Sequence, residues 1–387
     1  MDFPEFIFHN YGGINADSIK TFFVHCSNNN VSDIFLQAGG PIVVDRYGRK
    51  IRASQFTLEP PQLLRIMDEI FSEEIKGKLK SGQGVDRALQ INGDINNRYG
   101  LGRGERLRFR CNFIQATIGQ YDMVPGVTLR TIPTIIPHLE TLGIEEDLFP
   151  YLLPHKGIGL ICGETGSGKS TLLAAIYQYC AENDLDRKIV TFEDPIEFLL
   201  YFPDAVLMPE QSQLYRDVPS FAEGLRLSLR RAPGIIGVGE IRDLETLQGA
   251  IANGQSGHLC LSTMHTDSVG ETIPRAINLF PESQREAMAH NLLANLQYVI
   301  VQRLLKTTDG KRSAVREYLI FSDDIRQELR DRPYSTWEAW IYSYLKEKNS
   351  LLKNKAWDLF RCGKIDKSEL LNVVNINEYN KMKEGCY

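Results

Sequence analysis

The sequence predicts an α/β protein, with a parallel-sheet domain in its C-terminal part and a smaller α+β domain before it. Three observations support this fold class. From Gly157 onward, buried-strand patterns alternate with helical patterns, as expected for parallel strands joined by crossover helices. The first third instead shows short alternating runs separated by turn residues, which is typical of antiparallel strands. Finally, the glycine-rich stretch GETGSGKST, residues 163–171, separates a strand pattern from a helix pattern.

The composition is that of a globular protein. The chain has 387 residues, of which 43% are hydrophobic and 24% charged, and its net charge is -5. This length predicts two or three domains, and no apolar run is long enough for a membrane span. The first ten residues, MDFPEFIFHN, lack the basic residues of a signal peptide. The acidic balance gives no reason to expect a nucleic-acid surface.

The cysteines indicate neither a disulfide scaffold nor a zinc site. The chain contains seven of them, scattered and without a C-x-x-C pair. We expect buried free thiols in a reducing compartment.

Residues 1–131 are predicted to form the α+β domain. The predicted elements are a helix over 17–30, a hairpin over 34–51 with turns at Gly39-Gly40-Pro41 and Tyr47-Gly48, a helix over 60–71, and two strands over 106–131. The following segment, 132–156, is rich in proline and is predicted to be a linker around a short helix. Its prolines are Pro133, Pro137, Pro150 and Pro154.

Residues 157–387 are predicted to form the parallel-sheet domain with a helical tail. The predicted order is strand GIGLICG, helix STLLAAIYQYC, strand RKIVTFEDP, helix SFAEGLRLSLRRA, strand GIIGVGE and strand HLCLSTMH. From about residue 282 the tail is predicted to be helical. Within it, Asp366 and Glu369 follow the helix stop at Gly363 with capping-box spacing.

The glycine-rich stretch predicts a phosphate-binding loop. It fits the pattern G-x-x-x-x-G-K-[ST] in the strand-loop-helix context that this motif requires. Its glycines let backbone amides close around phosphate oxygens, and the next helix directs its positive end at them. Lys169 is expected to reach the β- and γ-phosphates of ATP, and Ser170 to hold Mg²⁺. The predicted binding residues are Gly163, Glu164, Thr165, Gly166, Ser167, Gly168, Lys169, Ser170 and Thr171.

Acidic residues follow two later strands of the predicted sheet. Glu240 ends GIIGVGE, and Glu193, Asp194 and Glu197 lie at the end of TFEDPIEF. Ligands bind at the carboxyl edge of open parallel sheets, and a second acidic residue there can face the Mg²⁺ shell. Acidic residues at strand ends are also common as solvated turn residues, which is the alternative interpretation.

Two histidines bracket the strand HLCLSTMH. His258 precedes it and His265 ends it. Either can be an ordinary core residue, or the pair can sense the γ-phosphate. A zinc site is less favoured, because no cysteine or third ligand shares the spacing.

Four motifs in this order resemble a known family. GETGSGKST, TFEDPIEF, IIGVGEIRDLET and GHLCLSTMHT look like the phosphate loop, aspartate box, Walker B strand and histidine box of the type II/IV secretion ATPase superfamily. Within it, they resemble the pilus-retraction, PilT-like branch and its relatives in type IVB (Dot/Icm) secretion and conjugation. VSDIFLQAGG and RFRCNFI…GVTLRTIP resemble that family's PAS-like N-terminal domain.

The resemblance implies a RecA-like ATPase domain and a ring-shaped homohexamer that hydrolyses ATP. It assigns Glu193 as the general base and Glu240 to the Mg²⁺ shell. Arg110 and Arg130 match positions whose arginines complete a nucleotide site, some of them across the subunit boundary. The chain departs from the family at two places. Ala232-Pro233-Gly234 replaces acidic residues before the Walker B strand, and Gly119-Gln120 replaces Asn-Arg, which puts one candidate arginine in doubt.

The resemblance also suggests partners and a location. The chain lacks the tetracysteine element of assembly ATPases, and only 162 residues precede its phosphate loop. A cytoplasmic ATPase for secretion or conjugation is therefore expected, recruited to inner-membrane platform proteins and cytoplasmic secretion components. A pilus retraction motor is the alternative, and a DNA translocase or a nucleotide-gated scaffold is less favoured. In the tail, Trp337, Trp340 and Tyr344 form either helix packing or a docking face.

Overall fold

A computed structural model describes residues 4–8, 14–46, 48–132 and 135–384. The chain divides into two compact units, Met1–Ile135 and Ile136–Tyr387, which we call the first and second unit. Tyr47 of the predicted hairpin turn and Pro133 of the predicted linker lie outside the described residues. Among the residues that are described, no helix combines the length and the apolar character needed to cross a bilayer.

The first unit is an antiparallel sheet with helices packed on it. Its strands are β1 Val31–Gln37, β2 Gly40–Arg46, β3 Arg49–Leu58, β4 Val85–Asn92, β5 Arg106–Ile118 and β6 Tyr121–Ile132; its helices are α1 Ala16–Asn28, α2 Pro60–Ile70 and α3 Glu73–Lys80. The strand order is β3-β2-β1-β6-β5-β4, and aromatic side chains such as Phe22 and Phe109 fill its core. This confirms the predicted α+β character. The short, highly charged α3 and the mostly exposed β4 had no clear sequence pattern.

The second unit is a mainly parallel sheet with crossover helices, as predicted. Its strands are β7 Gly157–Cys162, β8 Ile189–Glu193, β9 Glu210–Gln213, β10 Ile235–Val238, β11 Leu259–Met264, β12 Leu296–Lys306 and β13 Arg312–Ile320. They lie in the order β13-β12-β7-β11-β10-β8-β9, and only β12 and β13 pair antiparallel among the strands described. The central strands β7, β10 and β11 are buried along their whole length.

The helices of the second unit cover the sheet and continue into the tail. They are α4 Lys169–Asn183, α5 Phe221–Ser228, α6 Leu244–Gln255, α7 Val269–Ile277, α8 Arg285–Asn295, α9 Asp323–Arg330, α10 Trp337–Glu347, α11 Leu352–Arg361, α12 Lys367–Leu370 and α13 Ile376–Lys383. The helix start predicted at Asp366 is confirmed, since its side chain accepts from the Glu369 amide.

The prediction of a helical tail from residue 282 is wrong for residues 296–320, which form the hairpin β12–β13. The middle of β12, YVIV, is a continuous apolar run that is buried in a strand lying between two neighbours, β7 and β13. Such a run cannot be told from a buried helix by periodicity alone. The remainder of the tail is helical from Asp323 onward, apart from short turns.

The aromatic residues of the tail are mainly packing residues. Trp337 is fully buried, and its indole nitrogen donates to the Arg332 carbonyl. Trp340 and Tyr344, one helical turn apart, stack with their ring centroids 5.1 Å apart against the core of the second unit.

Most of the predicted linker belongs to the second unit. Residues 136–156 contain two 3₁₀ turns, Leu139–Leu142 and Phe149–Tyr151, rather than an α-helix. Leu139, Leu148 and Leu152 are buried in the same core as α4. The apolar residues between the prolines therefore anchor this segment on the sheet.

The segment around α12 contacts the C-terminal end of β12. The backbone amide of Lys306 donates to the Glu369 carboxylate at 2.8 Å, and Arg303 donates to the Asn372 carbonyl at 3.0 Å. Arg303 also lies 3.9 Å from a carboxylate oxygen of Glu164 and 3.5 Å from one of Asp267. One side chain of β12 thus contacts the tail, the phosphate loop and the turn that follows His265.

Candidate nucleotide site

The phosphate loop has a backbone that only glycine adopts easily. It leaves β7 at Cys162 and enters α4 at Lys169. Gly163, Gly166 and Gly168 have φ values of +134°, +83° and +86°, in the region that side chains with a Cβ rarely occupy. A side chain at Gly163 would also collide with the Gln302 carbonyl oxygen. The glycines therefore let the backbone turn tightly at the N-terminus of a helix, an arrangement that suits an anion.

Lys169 lies at the centre of this loop. It is largely buried, and its ammonium donates to the Gly163 and Glu164 carbonyls at 2.8 and 2.9 Å. Burial lowers the pKa of Lys169, and the nearby Glu240 carboxylate opposes that shift. The Ser167 hydroxyl is buried and has no hydrogen-bond partner among the residues described. A partly desolvated cation and an unpaired hydroxyl at the N-terminus of a helix fit the oxygens of a polyphosphate.

Two buried polar side chains, linked by hydrogen bonds, hold the phosphate loop from β12 and β13. Gln302 of β12 donates its amide to the Ser167 carbonyl at 2.7 Å, and Arg316 of β13 donates to the Gln302 amide oxygen at 2.8 Å. The other guanidinium nitrogens of Arg316 donate to the carbonyls of Leu142 and Gly143 at 3.0 and 2.9 Å. Sequence analysis missed both residues because they lie in the segment predicted to be helical. Neither stretch alternates regularly in sequence or burial, so no periodic signal marked these two residues.

Glu240 and His265 lie at the same sheet edge as the loop. They follow β10 and β11, the strands next to β7 on one side. Since parallel strands present their carboxyl ends together, these motifs lie at one edge of the sheet. A carboxylate oxygen of Glu240 is 3.4 Å from His265 Nε2, and the other accepts from Arg242 Nε at 2.7 Å.

Glu193 ends β8, one strand further along the same edge. Its Oε1 accepts from the Thr191 hydroxyl at 2.6 Å and from the Gln211 amide at 2.9 Å. Burial raises the pKa of Glu193, and these two donors together with the Glu197 backbone amide oppose that rise. The side chains of Asp194 and Glu197 are exposed. Sequence analysis missed Gln211, which comes from the short strand β9.

His258 does not join this group. It lies at the beginning of β11, so the length of the strand, about 20 Å at ~3.3 Å per residue, separates it from His265. There its carbonyl accepts the Gly157 amide, and its ring lies 3.2 Å from the Ser256 hydroxyl. The two histidines bracket one strand, and a strand places its two ends at opposite edges of the sheet.

Arg110 and Arg130 belong to the first unit. They are directly opposite each other on β5 and β6 and therefore share one face of that sheet. Arg130 Nε lies 2.8 Å from an Asp33 oxygen, and Arg110 Nε lies 3.9 Å from an Asp86 oxygen. Both side chains remain substantially exposed, Arg130 at 64% and Arg110 at 45%. Gly119, where the family pattern has Asn, forms the turn between β5 and β6.

A cavity of about 320 Å³ adjoins the phosphate loop in the second unit. Its lining mixes apolar side chains with polar and charged ones. The lining includes Gly143, Gly168, Thr171, Leu172, Leu304 and Arg312. A pocket of this size, next to the first turn of α4, suits the nucleoside of a bound nucleotide.

Comparisons with known proteins agree with this geometry. Residues 20–357 match the family described as type II/IV secretion system protein. The type IV pilus retraction ATPase PilT of Pseudomonas aeruginosa is 32% identical over 367 residues, which cover 95% of this chain and 99% of PilT.

Solved structures of the same group are also similar. The ATPase DotB of Legionella pneumophila has a TM-score of 0.83 at 31% identity, over 96% of this chain and 98% of DotB. A structure of the pilus retraction motor PilT with bound ADP has a TM-score of 0.78 at 29% identity, over 93% of this chain and 98% of PilT. These matches confirm a RecA-like second unit after an N-terminal antiparallel-sheet domain. The chain therefore belongs to the type II/IV secretion ATPase superfamily, in its PilT-like branch.

Proposed function

We propose that the protein hydrolyses ATP to ADP and phosphate. The observation that carries this proposal is the convergence of the phosphate loop, Lys169, Glu240 and Glu193 at one edge of one sheet. A phosphate cradle alone binds nucleotide, whereas two acidic side chains beside it provide for a metal ion and for the attacking water. The ADP bound in a PilT structure supports the same nucleotide class.

Each site residue then has a distinct role. Lys169 stabilises the negative charge that develops on the β- and γ-phosphates. Glu193 orients a water and accepts its proton, a role that suits a carboxylate whose pKa is raised by burial. The contact between His265 and Glu240 holds the Glu240 carboxylate in place.

Mg²⁺ is the cofactor that this set of residues fits. The Ser170 hydroxyl, next to Lys169 at the start of α4, and the Glu240 carboxylate would hold it, Glu240 partly through water. Both present hard oxygen ligands, which Mg²⁺ prefers, and the Glu240 carboxylate lies close enough to oppose the lowering of the Lys169 pKa by burial. Bound Mg²⁺ would neutralise charge on the phosphate oxygens.

We further propose a ring-shaped homohexamer in which Arg110 and Arg130 complete the nucleotide site of a neighbouring subunit. Their exposure and their position on a separate unit support this role. ATPase activity per chain should then rise steeply with protein concentration, because an isolated subunit has an incomplete site. Mixing Lys169→Ala with Arg130→Ala subunits should restore part of the activity, because some interfaces regain both parts.

The measurement is phosphate release from ATP across a dilution series, with and without EDTA. EDTA should abolish release. A specific activity that stays constant on dilution into monomer would exclude the shared site. No release by the concentrated protein in the presence of Mg²⁺ would exclude ATP hydrolysis itself.

The work that hydrolysis drives is proposed to be secretion or conjugation of the type IVB, Dot/Icm kind. Similarity to DotB over nearly the whole chain supports this assignment. The protein would act in the cytoplasm and bind reversibly to platform proteins at the inner membrane and to cytoplasmic secretion components. Pilus retraction is the second candidate, since PilT matches over 95% of the chain.

Recruitment is expected to depend on bound ATP. In cells that carry the complete machine, Glu193→Gln should retain ATP and accumulate in the membrane fraction, whereas Lys169→Ala should stay in the soluble fraction. The measurement is cell fractionation followed by immunoblotting. Equal membrane fractions for the two variants would contradict ATP-dependent docking. In cells without the machine, neither variant should reach the membrane.

A further inference from the structure

Glu193 is held by two side chains that converge on one of its oxygens. The Thr191 hydroxyl and the Gln211 amide both donate to Oε1, at 2.6 and 2.9 Å. We propose that Gln211 is a positioning residue that fixes the orientation and the ionisation of Glu193 during ATP hydrolysis. This inference rests on the proposed function and adds to it a residue that is not part of the four motifs.

The backbone locks the amide of Gln211 in one orientation. Its Nε2 also donates to the Phe198 carbonyl at 2.8 Å, and its Oε1 accepts from the Leu200 amide at 2.8 Å. Since a backbone carbonyl requires a donor and a backbone N–H requires an acceptor, the NH₂ group must face Glu193. Gln211 itself is placed by the parallel pairing of β9 with β8, in which it lies opposite Thr191.

The surroundings of Glu193 make these donors important. The other titratable groups facing it are Tyr177 from α4 and Glu197 from the segment after β8. The neighbouring strand β10 continues into Gly239 beside Glu193, which offers no side chain. Burial and the Glu197 charge favour the neutral acid, whereas the hydrogen-bond donors favour the carboxylate. A general base must be ionised, so the loss of a donor should narrow the pH range in which Glu193 can act.

The test compares Gln211→Leu and Thr191→Val with wild type. Each should lower kcat, by about 10- to 100-fold as for outer-shell partners of catalytic groups. Each should also move the acidic limb of the kcat profile to higher pH, by about 0.5 to 1 unit for one lost hydrogen bond. The dissociation constant for ATP should stay within about twofold.

The two Thr191 variants distinguish an effect on the orientation of Glu193 from a general loss of packing. Gln211→Leu also removes the contacts to Phe198 and Leu200, whereas Thr191→Val removes a hydroxyl whose described contact is Glu193. Thr191→Ser restores the hydroxyl and should return the acidic limb to its wild-type position. Gln248→Leu, at an exposed position of α6, is the matched control and should behave as wild type. An acidic limb that is unmoved in both Gln211→Leu and Thr191→Val would overturn the proposal.

A second readout does not require turnover. Folding raises the pKa of Glu193. Between its pKa in the unfolded chain and its pKa in the folded protein, the folded protein binds more protons, so its stability falls as the pH rises through this range. In Gln211→Leu, the fall of the melting temperature with pH should continue to higher pH than in wild type. This difference should vanish when Glu193→Gln is also present. A difference that persists without Glu193 would also overturn the proposal.

The outcomes distinguish this inference from the proposed function. If Glu193→Gln hydrolyses ATP at the wild-type rate, the assignment of the base is wrong, and the melting profiles still decide whether Gln211 controls its ionisation. If Glu193→Gln is inactive while Gln211→Leu and Thr191→Val match wild type in rate, pH profile and melting, only the role of Gln211 is wrong.

Discussion

Glu193→Gln is expected to bind ATP within about twofold of wild type while losing at least ~100-fold in turnover, since general base catalysis contributes on that order. Lys169→Ala is expected to lose tight binding altogether, because its charge lies inside the phosphate loop. The measurements are calorimetric titration with ATP in the presence of Mg²⁺ and steady-state phosphate release.

The controls make the same two types of substitution at exposed positions of the second unit. Glu182→Gln on α4 and Lys156→Ala before β7 should bind and hydrolyse ATP as wild type does. Wild-type turnover in Glu193→Gln would contradict its role as the base. Unchanged ATP affinity in Lys169→Ala would mean that the backbone of the loop binds the phosphates without the lysine.

The second large effect is expected at Arg316. Its guanidinium is buried and donates to Gln302, Leu142 and Gly143. Arg316→Met should leave these acceptors unpaired along with the nearby Glu145 carboxylate. Removing one member of a buried ion pair typically costs about 3–5 kcal/mol. Arg316→Lys should recover only part of this loss, because an ammonium cannot match the geometry of the guanidinium.

Tryptophan fluorescence during urea unfolding provides the measurement. All three tryptophans lie in the second unit, so their signal reports on the unit that contains Arg316. Arg361→Met, on the exposed side of α11, is the control and should unfold with the wild-type midpoint. A loss below about 1 kcal/mol for Arg316→Met would contradict the structural role. The variant should also bind ATP more weakly, since Gln302 would no longer be held against the loop.

The parts of the site that could be predicted from sequence are those carried by local motifs. Lys169 starts the helix after β7, and Glu193, Glu240 and His265 lie at or just beyond the ends of β8, β10 and β11. The parallel arrangement alone brings such positions together. His258 shows the limit of this reasoning. It belongs to the same motif as His265, but a strand directs its two ends to opposite edges.

The supporting residues could not be predicted because they depend on pairing between distant segments. Gln302 reaches the phosphate loop only because β12 pairs with β7, and Arg316 reaches Gln302 only because β13 pairs with β12. Gln211 reaches Glu193 only because β9 pairs with β8. Nothing in a local run of residues specifies its partner, so the strand order is needed before these contacts can be recognised.

The contact of the chain's end with β12 has a consequence for how such proteins diverge. The shared family domain ends at residue 357, yet Asn372 lies beyond it and accepts from Arg303, the side chain that also lies near Glu164 and Asp267. A sequence change in the last helices that displaces Asn372 would therefore alter the surroundings of Arg303, beside the phosphate loop, while every motif residue stays the same.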